Sequence, residues 1–196
     1  MSGPFEALGE GAVRFVRPSG VSARALFEAL RQEPHVIDVV ITEGHVALTF
    51  DPIEPPRDPS LILAALAATK SDVVLPSRVT VEIRVRYDGV DLPEIAATSG
   101  LTIDEVIALH TGRSYVVTMI GFVPGFAYLG DVDPRIALPR RAQPRQKIAA
   151  GSVGIGGGYT AVYPFASPGG WNLVGTALDF VPFALALGDR VAFRVA

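Results

Sequence analysis

Arg135, Arg140, Arg141, Arg145 and Lys147 lie in a stretch, residues 134–178, that holds no acidic residue, although the 196-residue chain carries a net charge of −3. Four of these five cations are arginines, whose planar fork suits a two-point grip on a carboxylate or phosphate. Glycines follow in "AGSVGIGGG" (150–158) and "SPGG" (167–170). Lacking side chains, they let backbone N–H groups come close to such an anion. The chain's one tryptophan, Trp171, comes next, a rigid apolar wall or an interface anchor. The residues alone leave three readings open: a solvated loop, an anion pocket, or a face for an acidic partner. In an extended segment Arg141 would point away from Arg140, so the two should not share one role.

Other catalytic signatures fail on inspection. Gly154-Ile155-Gly156 begins a dinucleotide fingerprint, but Tyr159 stands where the third glycine is needed and no strand–helix unit surrounds it. Neither lysine, Lys70 or Lys147, sits in a phosphate-binding loop. Ser152 follows "AAG", and Ala150 occupies the position a nucleophile elbow needs for glycine. His35, His45 and His110 lack metal-ligand spacing, so no metal is expected. His110, near a helix end, reads as a partner of the helix dipole. The absence of cysteine excludes disulfides and thiol catalysis. Mild acidity argues against nucleic acid as partner, and no apolar run is long enough for a membrane span. "MSGPFEALGEGAVRF" lacks the basic start and apolar core of a signal peptide, which favours the cytoplasm.

Hydrophobic residues make up 49% of the chain and charged ones 19%, enough to bury a real core. "AVRFVR" (12–17) alternates as a strand does, and "SARALFEALRQ" (22–32) sets Ala25, Leu26, Ala29 and Leu30 on one helical face behind Ser22 as N-cap. Glu43-Gly44 reads as a hairpin turn between two strands, and Asp58-Pro59 opens a second helix. The order β-α-β-β-α, with "RVTVEIRVRY" (78–87) as a further strand, outlines a ferredoxin-like α+β unit, with "KSDVVLPS" (70–77) as linker. Thr102 to Glu105 form a capping box for a short helix ending at Gly112. Beyond the strand "SYVVTMIGF", short apolar runs broken by Gly and Pro favour a β-barrel.

The segments "GFVPGFAYLG", "PRRAQPR", "AGSVGIGG", "TAVYP" and "SPGGWNLVG", in this order and spacing, strongly resemble the family of the 5-oxoprolinase B subunits. The same family is called allophanate hydrolase subunit 1 and includes the sporulation-kinase inhibitor KipI. The resemblance implies an α+β domain over residues 1–77 and a cyclophilin-like β-barrel over 78–196. It further implies a protein that works with the C and A subunits of 5-oxoprolinase, the former of the allophanate hydrolase subunit 2 type. Together they would open 5-oxo-L-proline to L-glutamate with ATP. Related domains serve in the carboxyltransferase part of urea carboxylase. ATP is thus expected in the complex, with no cofactor held tightly by this chain. The alternative that the family offers is a KipI-like inhibitor, without catalysis, whose partner is a sensor histidine kinase.

Carried over by position, the motif residues proposed for substrate or anion binding are Arg140, Arg145, Gly151, Ser152, Tyr163 and Ser167. Phe126, Tyr128, Gly169, Gly170 and Trp171 are proposed for an interface or pocket wall, and Pro124, Gly125 and Pro168 complete the motifs. No catalytic residue is assigned. Two departures stand out: Tyr159 replaces the family's usual glutamine, which removes an amide's paired donor and acceptor, and the loop before the last strand is short. Phe122, Phe126, Tyr128, Phe165 and Trp171 are expected to be exposed and to support a heteromer.

Overall fold

The computed structural model describes residues 5–53 and 80–196, and the chain divides into two compact units, Met1–Ser77 and Arg78–Ala196. In the first unit, β1 (Phe5–Ala7), β2 (Ala12–Val16), β3 (Val36–Ile41) and β4 (His45–Phe50) form an antiparallel sheet of order β1-β2-β4-β3. Helix α1 (Ala23–Leu30) follows β2 and buries Ala23, Leu26 and Leu30. Ser22 caps it, its hydroxyl oxygen accepting from the Ala25 amide at 3.1 Å. Thr42 ties the β3–β4 turn through the backbone of His45. The expected β-α-β-β order is present, whereas the second helix and the linker at 70–77 lie outside the described residues. One expectation is corrected. The strand at 78–87 is not part of this sheet; its edge place goes to Phe5–Ala7, where Phe5 packs edge-on against Phe15.

The second unit is a closed barrel of seven strands. Its order is β10 (Tyr159–Val162), β7 (Ala127–Gly130), β6 (Ser114–Ile120), β13 (Arg190–Val195), β5 (Thr80–Arg86), β12 (Asn172–Ala177) and β9 (Ser152–Gly156), returning to β10. Every pairing is antiparallel except β5 with β13, which runs parallel over six residue pairs from Thr80–Arg190 to Val85–Val195. Alternation fixes the inward face: Ile83 and Val85 of β5 meet Val191 and Phe193 of β13 in one core. A two-stranded ribbon, β8 (Arg145–Ile148) with β11 (Ser167–Gly169), completes the unit. The sequence "SPGG" therefore begins as a strand.

Two helices follow β5: α2 (Leu92–Ser99) and α3 (Ile103–Thr111). The expected capping box is formed at α3, with Thr102 Oγ1 accepting from the Glu105 amide and the Glu105 carboxylate accepting from the Thr102 amide. Helix α2 carries signals of its own, Asp91 before it, Pro93 in its first turn and Gly100 after it in the left-handed conformation.

His110, at the end of α3, does not serve the helix dipole. It is fully buried and stacks on Phe193 with ring centroids 4.6 Å apart. Its Nδ1 lies 2.7 Å from the Tyr87 hydroxyl and its Nε2 2.9 Å from Thr160 Oγ1. Thr160 donates its own proton to the Gly154 carbonyl, so the network assigns the remaining roles. His110 Nε2–H donates to Thr160, and Nδ1 accepts from Tyr87. Burial lowers the His110 pKa to about 3, which keeps the ring neutral; the same burial raises Tyr87 above its usual range. A neutral ring has no charge to offer a dipole.

Candidate anion-binding site

The acid-free arginine loop meets its counter-charges at the start of α2. Arg141 Nη1 reaches Asp91 Oδ1 and Glu94 Oε2, each at 2.9 Å. Arg145 Nη2 reaches the same Asp91 oxygen at 2.7 Å. The other Asp91 oxygen accepts from the Leu173 amide at 2.7 Å. Asp91 stands at the N-cap position of α2 yet makes no side-chain bond to the helix, because its carboxylate is committed to the loop and to β12. Hydrogen bonding to Glu94, then the charge of Asp91, raises the Arg141 pKa further. Arg135 is likewise paired, with Asp133, whose carboxyl it holds down near 2, chiefly by that hydrogen bond.

Arg140 and Arg141 do point apart, but Arg145 sides with Arg141 at Asp91. Arg140 stays exposed, makes no ion pair among the described residues, and lies with its guanidinium carbon 5.9 Å from the centre of the Trp171 ring. A cleft of about 440 Å³ opens beside Arg140 and Arg141, with Glu94, Gln143 and Asn172 in its lining. The buried Asn172 side-chain amide donates to the carbonyls of Pro139 and Ile155, at 2.9 and 3.3 Å, and so fastens the loop just before Arg140.

Tyr163 and Ser167 are both buried. Gly151 and Ser152 hold the Tyr163 backbone, the Gly151 amide donating to the Tyr163 carbonyl and the Tyr163 amide to the Ser152 carbonyl. Those two residues therefore position Tyr163 through the main chain. Gly169 lies opposite Arg145 in the ribbon. A Cβ on Gly169 would fall 2.4 Å from the Tyr163 hydroxyl, so this glycine is what lets the phenol reach the ribbon. The Gly170 carbonyl accepts from the Arg141 amide at 2.7 Å.

The aromatic residues divide in a way their spacing did not show. Phe126 and Trp171 are not exposed but buried, with Tyr163, in a cluster that Tyr128 and Tyr159 flank. The rings meet edge-on, at 5.3 Å for Phe126 with Trp171 and 5.8 Å for Tyr128 with Tyr159. Gly156 makes room, since a Cβ there would lie 2.8 Å from the indole. Phe122 and Phe165 are exposed as expected, and Phe183, which the sequence did not single out, joins them and contacts Phe165. Phe122 and Phe183 both hold positive φ, 78° and 65°, a strained state for bulky residues.

Asp91 was the residue sequence reasoning missed; "DLPE" at a helix start was the available signal. Asp91→Ala should cost about 2–3 kcal/mol of stability, below the figure for a fully buried pair because both guanidiniums are part exposed. Urea unfolding followed by Trp171 fluorescence measures it, and Glu94→Ala, which removes an exposed partner only, should cost far less.

Comparison with known proteins places this geometry. The family model for the carboxyltransferase domain, subdomain C and D, matches residues 8–181. The 5-oxoprolinase B subunit of Escherichia coli O157:H7 is 45% identical over 184 residues, covering 86% of this chain and 82% of that protein. The protein of the same name from Bacillus subtilis (strain 168) is 50% identical over 138 residues, 65% of this chain and 57% of its own. The crystal structure of TTHA0988 superposes with a TM-score of 0.80 at 40% identity, over 94% of this chain. This chain spans only 40% of that one. The K. lactis urea amidolyase matches 98% of this chain and 15% of its own, with a TM-score of 0.69; at 17% identity the likeness is one of fold. With a family model over most of its length and a relative at 45% identity, the chain belongs to the family of 5-oxoprolinase B subunits, within the carboxyltransferase C and D subdomain proteins.

Proposed function

We propose that the chain is the B component of an ATP-dependent complex that opens 5-oxo-L-proline to L-glutamate, working in the cytoplasm with the C and A subunits of that enzyme. The observation that carries this reading is the 45% identity to a 5-oxoprolinase B subunit over most of both chains. A protein that is one subunit of several works in an assembly, and the exposed Phe122, Phe165 and Phe183 give a partner an apolar surface to cover. ATP belongs to the complex, and this chain alone is expected to be inactive.

Co-expression with the genes for the C and A subunits tests the reading. The expected result is a stable heteromer on size exclusion, with ATP-dependent formation of glutamate from 5-oxoproline only when all subunits are present. Phe183→Asn should weaken the heteromer while leaving the fold intact, because the ring is exposed and asparagine tolerates the positive φ at this position. A chain that elutes alone beside its co-expressed partners, with no turnover, overturns the proposal.

A further inference from the structure

Three hydrogen-bond donors gather at the β8–β11 ribbon without an acceptor. Arg145 offers Nη2 to Asp91, but its Nη1 is buried with no partner. Ser167 is 7% exposed, and its Oγ is also buried and unpartnered. Tyr163 is 1% exposed, and its hydroxyl proton has no acceptor among the described residues. Burial, the largest influence, raises the Tyr163 pKa, while the Trp171 backbone and the charges of Arg140 and Arg145 act the other way. The phenol is therefore protonated and able to donate. All three belong to this ribbon or abut it: Arg145 lies opposite Gly169, Ser167 opposite Ile148 across a register shift, and the Tyr163 hydroxyl abuts the Gly169 position, where it feels the charge of Arg145.

Buried donors are nearly always paired, because an unmet one costs on the order of 1–3 kcal/mol. Arg145 Nη1 can only donate, and the Ser167 and Tyr163 hydroxyls each have a proton to give, so one acceptor group would meet all three. Local charge narrows the class. Around Asp91 and Glu94 stand Arg140, Arg141 and Arg145, which leaves one positive charge beside the donors; Lys147, exposed on β8, is outside this group. One positive charge balances a monoanion, not the dianion of a phosphate. We propose that Tyr163, Ser167 and the free Nη1 of Arg145, with Arg140 at the rim, form a binding site for a small monocarboxylate. Asp91 is then a positioning residue that holds Arg145 with one nitrogen turned to the ligand. Identifying the carboxylate as that of 5-oxo-L-proline rests on the proposed function; the site itself does not.

Trp171, the chain's one tryptophan, packs in the same cluster as Tyr163 and reports on the site. Its fluorescence is titrated in the full chain, alone and with its partner subunits, using 5-oxo-L-proline, acetate, 2-pyrrolidinone (the same ring without the carboxylate) and inorganic phosphate. The expected result is a saturable change with 5-oxo-L-proline and acetate and none with 2-pyrrolidinone. Tyr163→Phe, Ser167→Ala and Arg140→Gln should each weaken binding, Arg140→Gln by about 10- to 150-fold. Because Arg140 is exposed, that variant folds even where a buried one fails. Equal response to 2-pyrrolidinone, tighter binding of phosphate, wild-type affinity in Arg140→Gln, or no response in either form of the protein overturns the site. The two proposals separate cleanly. Acetate binding without ATP-dependent ring opening sinks the function and keeps the site. Turnover with unchanged KM in Arg140→Gln and Ser167→Ala does the reverse.

Discussion

Lowering the pH from 6.5 to 5 should remove about 2 kcal/mol from the stability of the barrel, and replacing His110 should remove that sensitivity. The sign follows from linkage. His110 titrates near 3 in the folded chain because it is buried, and near 6.5 when unfolded. Between those values the unfolded state takes up a proton that the folded state refuses. Stability is whole above pH 6.5, falls by about 1.4 kcal/mol per pH unit below it, and stops falling from this cause near pH 3. Asp133, held near 2 by hydrogen bonds from Arg135, behaves differently. Its contribution is present above the unfolded carboxyl value and fades only as pH drops through about 4. The interval from 6.5 to 5 therefore isolates the imidazole. Urea melts read through Trp171 at several pH values provide the measurement. His110→Gln should be less stable at pH 7, through lost packing on Phe193, yet flat across the interval. A wild-type chain equally stable at pH 6.5 and 5 would show that His110 does not stay neutral.

Gly89→Ala should be worse than any surface change, costing about 4 kcal/mol or more or leaving no folded chain. A Cβ at this position would lie 2.2 Å from the Leu173 carbonyl oxygen and 2.3 Å from the Val174 carbonyl carbon. Both are backbone atoms of β12, in a closed barrel that cannot give way. The Gly89 amide donates to the Val174 carbonyl and the Asp91 amide to the Leu173 carbonyl. That contact is what brings the Asp91 carboxylate under the Leu173 amide and within reach of both arginines. Gly100→Ala is the comparison: it has open space around it but a φ of +66°, so it should cost only about 1–2 kcal/mol. Comparable losses in the two variants would mean that conformation, not space, governs Gly89.

The sequence made local features legible and left distant ones hidden. Ser22, the Thr42–Gly44 turn and the Thr102–Glu105 box were readable because each joins residues a few positions apart. The family motifs marked the loop from Arg140 to Trp171 as special. They could not show that Arg141 and Arg145 answer to Asp91, 50 and 54 residues earlier, which reads by itself as a helix cap. His110 was misjudged for a similar reason, since its neighbours Tyr87, Thr160 and Phe193 come from three separate strands or their ends. Burial of Trp171 depended on Gly154 and Gly156, whose value is the room they leave. Position along the chain does not reveal which side chain will use it.

The parallel pairing of β5 with β13 has a consequence for how the protein is made. Thr80 leaves the ribosome 110 residues before Arg190, its partner in the ladder. Until β13 emerges, the cylinder is a split tube with two raw edges, β5 on one side and β6 on the other. Such edges invite pairing with other nascent chains on the same message. Premature termination anywhere before Arg190 yields a product that cannot seal, so this unit is assembled after translation of its last strand or not at all.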